Sequence, residues 1–308
     1  MYNVQELRRV LKSRGACLLA HNYQRPEVQD AADFVGDSLE LSLKALESDA
    51  RIVVFAGVDF MAEQAAILNP DKTVIHPEPL SVCPMAAMLT VDIVREYKEK
   101  YPGSPFVVYV NSSASVKALA DYVVTSANAV KLVSQLDAEP VLFGPDRHLA
   151  EYVAEKTCKE VVPVPDFGHC PVHAVILRGD LVEAKKKYPD AKVLAHPECS
   201  SEVRKLADFV GSTSQMIKAA VELGSNEYVI ATEIGMLHRL GKLGLRAYPA
   251  SSYAVCVNMK MITLDSVVES LSSGKGVVKV DPKIAAKAKE AIVRSFELLG
   301  VEGPWSKS

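Results

Sequence analysis

The chain has 308 residues, of which 49% are hydrophobic and 24% charged, with a formal net charge of −3. This length indicates two or three compact units rather than one core. No basic tract is present, so nucleic acid is not an expected partner. No apolar run approaches the ~18 residues that cross a bilayer. The start, MYNVQELRRVLK, reads as an amphipathic helix rather than a signal peptide, which predicts a cytoplasmic protein.

Apolar strands and amphipathic helices alternate along the chain. After the N-terminal helix come the strand CLLAH (17–21), the short helix RPEVQDAA and a second strand that ends at Ser38. The helix LELSLKALES, the strand RIVVFAG, the helix MAEQAAIL and the strand TVIHP follow. The same order begins again at FVVYV (106–110) and at KVLAH (192–196). Strands that alternate with helices predict parallel sheets covered by helices.

A short phrase marks the repeat. ADFVGDS (32–38) returns as ADYVVTS (120–126) and as ADFVGST (207–213), at offsets of 88 and 87 residues. The expected fold is therefore α/β, with three pseudo-threefold-related α/β/α units and short parallel sheets around a central site. The predicted units are 1–103, 104–190 and 191–308. The last of them includes a tail with one further helix, PKIAAKAKEAIVRSFELL.

Alignment of the three sequence repeats places polar residues in register at the carboxyl ends of predicted strands, where open α/β sheets bind ligands. The aligned sets are His21, Tyr109 and His196; Tyr23, Asn111 and Glu198; and Ser38, Ser126 and Thr213. The hydroxyl set is predicted to open helices, whose N–H groups and dipoles suit carboxylates and phosphates. One such serine alone is more often an N-cap, but three in register favour an anion site.

Three of the six cysteines follow the same period. Cys83 (SVCPMA), Cys170 (GHCPVH) and Cys256 (YAVCVN) are 87 and 86 residues apart, and no CxxC pair is present. Three converging thiolates indicate zinc or an iron–sulfur cluster. A [4Fe–4S] cluster with three protein ligands leaves one iron open to act as a Lewis acid. Core packing is the expectation for the cysteines outside the period, Cys17, Cys158 and Cys199.

Several motifs together resemble one known family. HNYQRPEVQDAADFVGDSLEL, FAGVDFMAE, YVNSSA, TSANA, FGPD, GHCPVH, HPEC and GST-x-x-M resemble the quinolinate synthase family over nearly the whole chain. The resemblance implies a transferase of NAD biosynthesis that makes quinolinate from iminoaspartate and dihydroxyacetone phosphate, releasing phosphate and two waters. It also implies a [4Fe–4S] cluster held by Cys83, Cys170 and Cys256.

The resemblance also implies roles for individual residues. Tyr23 and Glu198 would be the acid–base pair, with His21 as a further candidate and His173 as a helper. An oxidase or dehydrogenase in the same cell would supply the unstable iminoaspartate. The substrate-binding positions implied are His21, Ser38, Tyr109, Val110, Asn111, Ser126, His173, His196, Pro197, Glu198 and Thr213.

Three other functions are compatible with three period-spaced cysteines. An iron–sulfur hydro-lyase acting on a small hydroxy acid would not need a phosphate site. A non-enzymatic iron–sulfur sensor would have no reason to keep histidine, tyrosine and glutamate near its metal. A zinc protein would be colourless, whereas an anaerobically purified iron–sulfur protein is brown.

Overall fold

The computed structural model describes residues 2–301. The chain forms two compact units. The first contains the residues up to Cys83 together with Val172–Lys279, and the second contains Pro84–Pro171 together with the residues from Val280 onward. Among residues 2–301, none of the helices combines the length and the apolar character that a bilayer crossing requires.

The first unit begins with a four-stranded parallel sheet in the order β2-β1-β3-β4. Its strands are β1 (Ala16–His21), β2 (Phe34–Gly36), β3 (Ile52–Ala56) and β4 (Thr73–Ile75). Its helices are α1 (Val4–Arg14), α2 (Pro26–Ala31), α3 (Ser38–Glu47) and α4 (Asp59–Leu68). Pro26 is the first residue of α2, as predicted. The central strands are almost continuously buried because helices cover both faces of a parallel sheet.

The second unit contains a sheet of the same design, in the order β6-β5-β7-β8. Its strands are β5 (Phe106–Tyr109), β6 (Tyr122–Val124), β7 (Val141–Gly144) and β8 (Val161–Pro163). Its helices are α5 (Pro84–Ala87), α6 (Val91–Lys100), α7 (Ala114–Lys117), α8 (Ala129–Val133) and α9 (Arg147–Thr157).

The chain then returns to the first unit and adds a sheet in the order β10-β9-β11-β12, again all parallel. The helices α10 (Pro171–Ala174) and α11 (Arg178–Lys187) lead into it. Its strands are β9 (Lys192–Ala195), β10 (Phe209–Val210), β11 (Glu227–Ala231) and β12 (Arg246–Pro249). The helices among and after these strands are α12 (Ser201–Arg204), α13 (Thr213–Leu223), α14 (Gly235–Gly241) and α15 (Val257–Lys260).

The recurring motif (ADFVGDS, ADYVVTS and ADFVGST) has the same structural role in each sheet. Its aspartate exchanges two hydrogen bonds with one residue of the first strand, accepting the backbone N–H through its side chain and donating its own N–H to the carbonyl. The distance from the backbone nitrogen to Oδ2 of the aspartate is 2.7 Å for Leu18 and Asp33, 2.8 Å for Phe106 and Asp121, and 2.8 Å for Val193 and Asp208. The repeated aspartate therefore fixes the start of the second strand against the first.

The predicted fold is confirmed: residues 2–301 contain three four-stranded parallel sheets with one strand order, as three α/β/α repeats require. The division into units at residues 103 and 190 stays a prediction. The prediction of a single helix in the tail is wrong, because α16 (Leu264–Ser273) precedes α17 (Pro282–Leu299). Thr263 caps α16, and an apolar stripe on α16 joins the core of the first unit. In the second unit, Ser295 of α17 accepts the N–H of Val123 at 2.7 Å.

Candidate active site

The first unit gathers polar side chains at the carboxyl ends of its two sheets. His21 ends β1, and His196 follows β9 directly. His21, His196 and Glu198 are each 5% exposed or less. The ring centroids of His21 and Tyr23 are 4.6 Å apart, and those of His173 and His196 are 4.8 Å apart. Residues far apart in the sequence thus form one buried polar cluster, at the end of the sheet where the sequence predicted a ligand site.

The two strand-end histidines have the same local geometry. Nδ1 of His21 accepts the backbone N–H of Tyr23 at 3.1 Å, and Nδ1 of His196 accepts that of Glu198 at 3.3 Å. A ring nitrogen that accepts a hydrogen bond carries no proton, so each neutral ring carries its proton on Nε2. Burial lowers the pKa of both imidazoles to about 3. Both rings are therefore neutral hydrogen-bond donors at neutral pH.

A chain of four side chains crosses this cluster. The hydroxyl of Tyr23 lies 2.6 Å from Oγ1 of Thr232, which lies 2.8 Å from Nε2 of His173. Nδ1 of His173 lies 2.7 Å from Oε2 of Glu198. His173 and Thr232 are 1% exposed. The arrangement brings a half-buried phenol and a buried carboxylate together through a hydroxyl and an imidazole, although the His173–Glu198 contact does not have hydrogen-bond geometry. Small shifts of the His173 ring would complete a path for a proton.

The loops that carry Tyr23 and Glu198 are each held by a side chain from the short helix that follows. Nε2 of Gln29 donates to the carbonyls of Asn22 and Gln24, at 3.1 and 2.9 Å. Nη1 of Arg204 donates to the carbonyls on both sides of Glu198, those of Cys199 at 2.6 Å and Pro197 at 3.4 Å. We call these two residues the brace residues. Lys117, fully buried, occupies the same place in the second unit.

The hydroxyl positions differ in part from expectation. Ser38 and Thr213 are the first residues of α3 and α13, as predicted. The capping, however, is done by the preceding residues, Asp37 and Ser212, which already accept N–H groups of the first turns. Because these caps already occupy N–H groups in the first turns of α3 and α13, fewer of those groups remain for a ligand than predicted. The N-cap interpretation accordingly does not apply to Ser38 and Thr213 themselves.

Side-chain hydrogen bonds connect the start of α13 to the start of α3 and to the loop that follows β1. Oγ of Ser212 donates to Oδ2 of Asp37 at 3.0 Å, and Nδ2 of Asn22 donates to Oγ1 of Thr213 at 2.9 Å. Burial raises the pKa of the Asp37 carboxyl. Ser38 and Thr213 are therefore brought into one region of the first unit.

The corresponding residues of the second unit lie at the end of its first strand. Tyr109 ends β5 and is 5% exposed, and Val110 follows it, buried. The prediction that Ser126 opens a helix is wrong, because α8 begins only at Ala129. Asn128 closes the intervening turn instead, since its Oδ1 accepts the N–H of Thr125 at 2.7 Å.

Buried polar atoms with no hydrogen-bond partner among the described residues cluster at these strand ends. A ligand that donates hydrogen bonds would satisfy such atoms. They include Oδ1 of Asn22 in the first unit and Oδ1 of Asn111, Oγ of Ser112 and Oγ1 of Thr125 in the second.

The three period-spaced cysteines occupy equivalent positions in the fold, and their role as metal ligands stays a prediction. Cys83, Cys170 and Cys256 each lie seven or eight residues after a fourth strand, directly before the short helices α5, α10 and α15, and each is half-buried. A thiol in this kind of loop is a donor type that suits a soft metal or an iron–sulfur cluster. Within residues 2–301 no disulfide joins the six cysteines.

The cysteines outside the period have other environments. Cys17 and Cys199 are buried in the core, as expected, and burial raises the pKa of the Cys17 thiol to about 11. The expectation of core packing is wrong for Cys158. It is exposed and ends α9 in the left-handed conformation, with φ 57°, so helix termination decides its place.

Comparison with known proteins decides the family. Residues 5–297 match the model of the family described as "Quinolinate synthetase A protein". The chain belongs to the quinolinate synthetase A protein family. It is 52% identical to the quinolinate synthase of Thermotoga maritima over 96% of this chain and 100% of the relative. The identity is 54% to that of Pyrococcus abyssi, over 96% and 99%. It is 52% to that of Thermococcus kodakarensis, over 96% and 98%.

Family membership confirms the resemblance seen in the motifs. The family match covers all three sheets and every predicted site residue. One member of the buried chain, Thr232, was not predicted. The sequence does distinguish Thr232. The repeat aligns Val58, Pro145 and Thr232 after the third strand of each unit, and only Thr232 carries a hydroxyl.

Proposed function

We propose that this chain condenses iminoaspartate with dihydroxyacetone phosphate to form quinolinate, phosphate and two waters in NAD biosynthesis. Its family supports this reaction, and one structural observation carries it: the buried Tyr23–Thr232–His173–Glu198 chain. The reaction needs repeated proton movement at a site shielded from water. A phenol and a carboxylate brought together through a hydroxyl and an imidazole supply that movement.

The cofactor in this proposal is a [4Fe–4S] cluster bound by Cys83, Cys170 and Cys256. The three loops are equivalent, and their thiols are of the type that binds iron–sulfur clusters. When bound, a cluster with three protein ligands supplies one open iron, whose Lewis acidity assists departure of hydroxide. No other soft donor recurs at this period in the sequence.

Substrate binding in this proposal uses the neutral donors at the strand ends. The Nε2–H groups of His21 and His196 suit the carboxylates of iminoaspartate, since they bind an anion without adding a charge that burial would penalise. In the second unit, the buried acceptor of Asn111 suits a hydroxyl or an imine N–H of a substrate. Tyr109, Val110, Ser126 and Pro197 complete the proposed binding positions.

Proton transfer in this proposal runs between Tyr23 and Glu198. One consistent pattern has the Tyr23 hydroxyl donating to Thr232 and Thr232 donating to Nε2 of His173, while Nδ1 of His173 lies 2.7 Å from the Glu198 carboxylate. The carboxylate of Glu198 is the charged group beside Nδ1 of His173, at 2.7 Å, and is placed to receive a proton from that ring. Formation of the enamine removes a proton from C3 of iminoaspartate. Glu198 and Tyr23 are the groups that take up and return protons during the steps that follow.

Anaerobic purification tests the proposal, with iron and sulfide analysis followed by a quinolinate assay. A brown protein with four irons per chain that needs dihydroxyacetone phosphate for turnover supports it. Turnover of a small hydroxy acid without that phosphate ester would identify a hydro-lyase instead. A colourless protein containing zinc would remove the cluster from the proposal, and an iron protein without turnover would favour a sensor.

The proposal also places the protein in a cell that makes iminoaspartate. That compound hydrolyses in water, so an oxidase or dehydrogenase in the same compartment must supply it. The cytoplasm is the proposed location, because iron–sulfur thiolates persist in a reducing compartment.

Removal of the Thr232 hydroxyl should interrupt the relay. Thr232→Val keeps the shape of the side chain but leaves Tyr23 and His173 without their shared partner. We expect kcat to fall about ten- to a hundredfold with little change in KM. Thr232→Ser is the matched control, since it restores the hydroxyl and should recover most of the rate. A wild-type kcat for Thr232→Val would exclude the relay.

The hydroxyl positions should contribute to substrate binding. We expect Ser38→Ala, Ser126→Ala and Thr213→Val each to raise KM, since a hydrogen bond to a charged group contributes about 1.5–3 kcal/mol. Iron content should not change. Thr90→Ala is the control: loss of this N-cap of α6 should lower stability by about 1 kcal/mol and leave KM unchanged. Full activity in the triple variant would reduce the three hydroxyls to structural contacts.

The brace residue Arg204 should matter for turnover. Arg204→Met leaves the Pro197 and Cys199 carbonyls without their buried donor, which allows Glu198 to move. Since a displacement of 1 Å at a reacting group costs on the order of a hundredfold, we expect kcat to fall about ten- to a hundredfold. Arg204→Lys should restore part of the rate, and Arg246→Met, at an exposed arginine, should be neutral. A lower melting temperature with unchanged kcat would show that Arg204 has only a structural role.

A further inference from the structure

Three carboxylates hold the backbone N–H groups of the three period-spaced cysteines. Each contact lies within one compact unit. The N–H of Cys83 donates to Oδ1 of Asp59 at 2.9 Å, that of Cys170 to Oδ2 of Asp146 at 3.0 Å, and that of Cys256 to Oε1 of Glu233 at 3.1 Å. The three acids lie at positions 59, 146 and 233, which are 87 and 87 residues apart. An acid at the repeat period, making the same contact each time, indicates a role shared by the three cysteine loops.

Each acid lies where its carboxylate can reach both a helix start and a cysteine loop. Asp59 is the first residue of α4. Asp146 caps α9, with Oδ1 accepting the N–H of Leu149 at 2.7 Å while Oδ2 holds the cysteine. Glu233 accepts the N–H of Gly235 at 2.6 Å through its second oxygen. The cysteine loops lie between a fourth strand and a short helix, so this contact anchors a segment with no strand or helix of its own.

The third acid differs from the other two. It is a glutamate rather than an aspartate, and Nζ of Lys260 lies 3.0 Å from its Oε1. The same ammonium donates to the backbone carbonyl of Tyr23. Four residues after the other two cysteines, where Lys260 would stand, the chain has Ala87 and Ala174. In the first unit, the loop of Cys256 is therefore connected to the loop of Tyr23 through an ion pair between buried Glu233 and half-buried Lys260.

We propose that Asp59, Asp146 and Glu233 are positioning residues that preset the three cysteines for metal binding. A held N–H fixes the peptide plane that precedes each cysteine, which narrows the positions its thiolate can take before iron arrives. The same contact keeps these N–H groups from donating to cluster sulfurs, and the carboxylates of Asp59 and Asp146 place negative charge nearby, whereas that of Glu233 is paired with Lys260. Both effects lower the reduction potential of an iron–sulfur cluster. The acids thereby favour the oxidised cluster, which a Lewis acid needs and an electron carrier does not. This inference rests on the proposed cluster.

The test compares Asp59→Ala, Asp59→Asn and a matched control, Asp33→Ala. Asn can still accept the N–H of Cys83 but carries no charge, whereas Ala does neither. Asp33 also accepts a backbone N–H, that of Leu18, but in the sheet and not at a cysteine. The proteins are reconstituted anaerobically with iron and sulfide. Iron per chain, the rate of iron loss to an excess of chelator and the midpoint potential of the cluster are then measured.

For Asp59→Ala we expect iron loss to be about tenfold faster than in the wild type, the size expected from loss of one hydrogen bond to a charged group. Its midpoint potential should move upward. Asp59→Asn should release iron at the wild-type rate with a smaller upward shift, and Asp33→Ala should match the wild type in both. Asp146→Asn repeats the test in the second unit. Both carboxylate oxygens of Asp146 accept an N–H, those of Leu149 and Cys170, and the single amide oxygen of Asn can replace only one of them.

Two different results would overturn different statements. If the wild type takes up four irons and Asp59→Ala matches Asp33→Ala in release rate and potential, the positioning role is wrong and the proposed function stands. If the wild type takes up no iron, the proposed cluster is wrong and the inference fails with it.

Discussion

Replacement of Cys83, Cys170 or Cys256 by alanine should abolish both bound iron and quinolinate formation. These three thiols occupy equivalent loops, and each backbone N–H is held by an acid at the same period. A [4Fe–4S] cluster with only two protein ligands would have lost one of its three anchors, so we expect the brown colour to disappear. Iron and sulfide analysis of anaerobically purified protein measures this directly.

The other three cysteines provide matched controls for this experiment. Cys158→Ala changes an exposed helix end, and Cys199→Ala removes a buried thiol that donates to the carbonyl of Ala231. Both variants, and Cys17→Ala, should retain iron, although the two core substitutions should lower stability. Essential iron binding by Cys17 or Cys158, combined with a dispensable Cys170, would contradict the assignment.

The second large effect is expected for Glu198→Gln. Gln has nearly the same shape, so the fold, the cluster and substrate binding should persist. It cannot take up a proton as the carboxylate does. Turnover should fall by at least the ~10²-fold typical of losing a general acid–base group. Single-turnover measurements with both substrates would show whether chemistry rather than binding is slowed.

The buried position of Glu198 makes this test specific. Glu198 is 3% exposed, and Ser200 rather than Glu198 is the N-cap of α12, so neither a surface role nor a capping role explains the carboxylate. Glu202→Gln, in the first turn of the same helix, is a control that should leave the rate unchanged. Near-normal quinolinate formation by Glu198→Gln would transfer the base role to His21 or Tyr23.

Much of this protein can be derived from the sequence because its signals are local and repeated. Buried parallel strands appear as continuous apolar runs, and the helices between them are amphipathic, so the element order is legible. The recurring phrase with its aspartate then sets the register of the repeat. That register alone singled out Cys83, Cys170 and Cys256, and it aligned His21 with His196.

Only the tertiary structure decided which groups touch. Thr232 joins Tyr23 to His173 across separations of 209 and 59 residues. Such contacts depend on how two sheets meet at their carboxyl ends, and no local periodicity encodes that. The helix starts show the same limit on a shorter scale. The residue that caps is set by backbone dihedrals, so Asp37 and Ser212 took the role expected one position later. The acids at 59, 146 and 233 were visible in the repeat, but their purpose appeared only when each carboxylate was found on a cysteine N–H, because hydrogen bonding requires both partners to be placed in space.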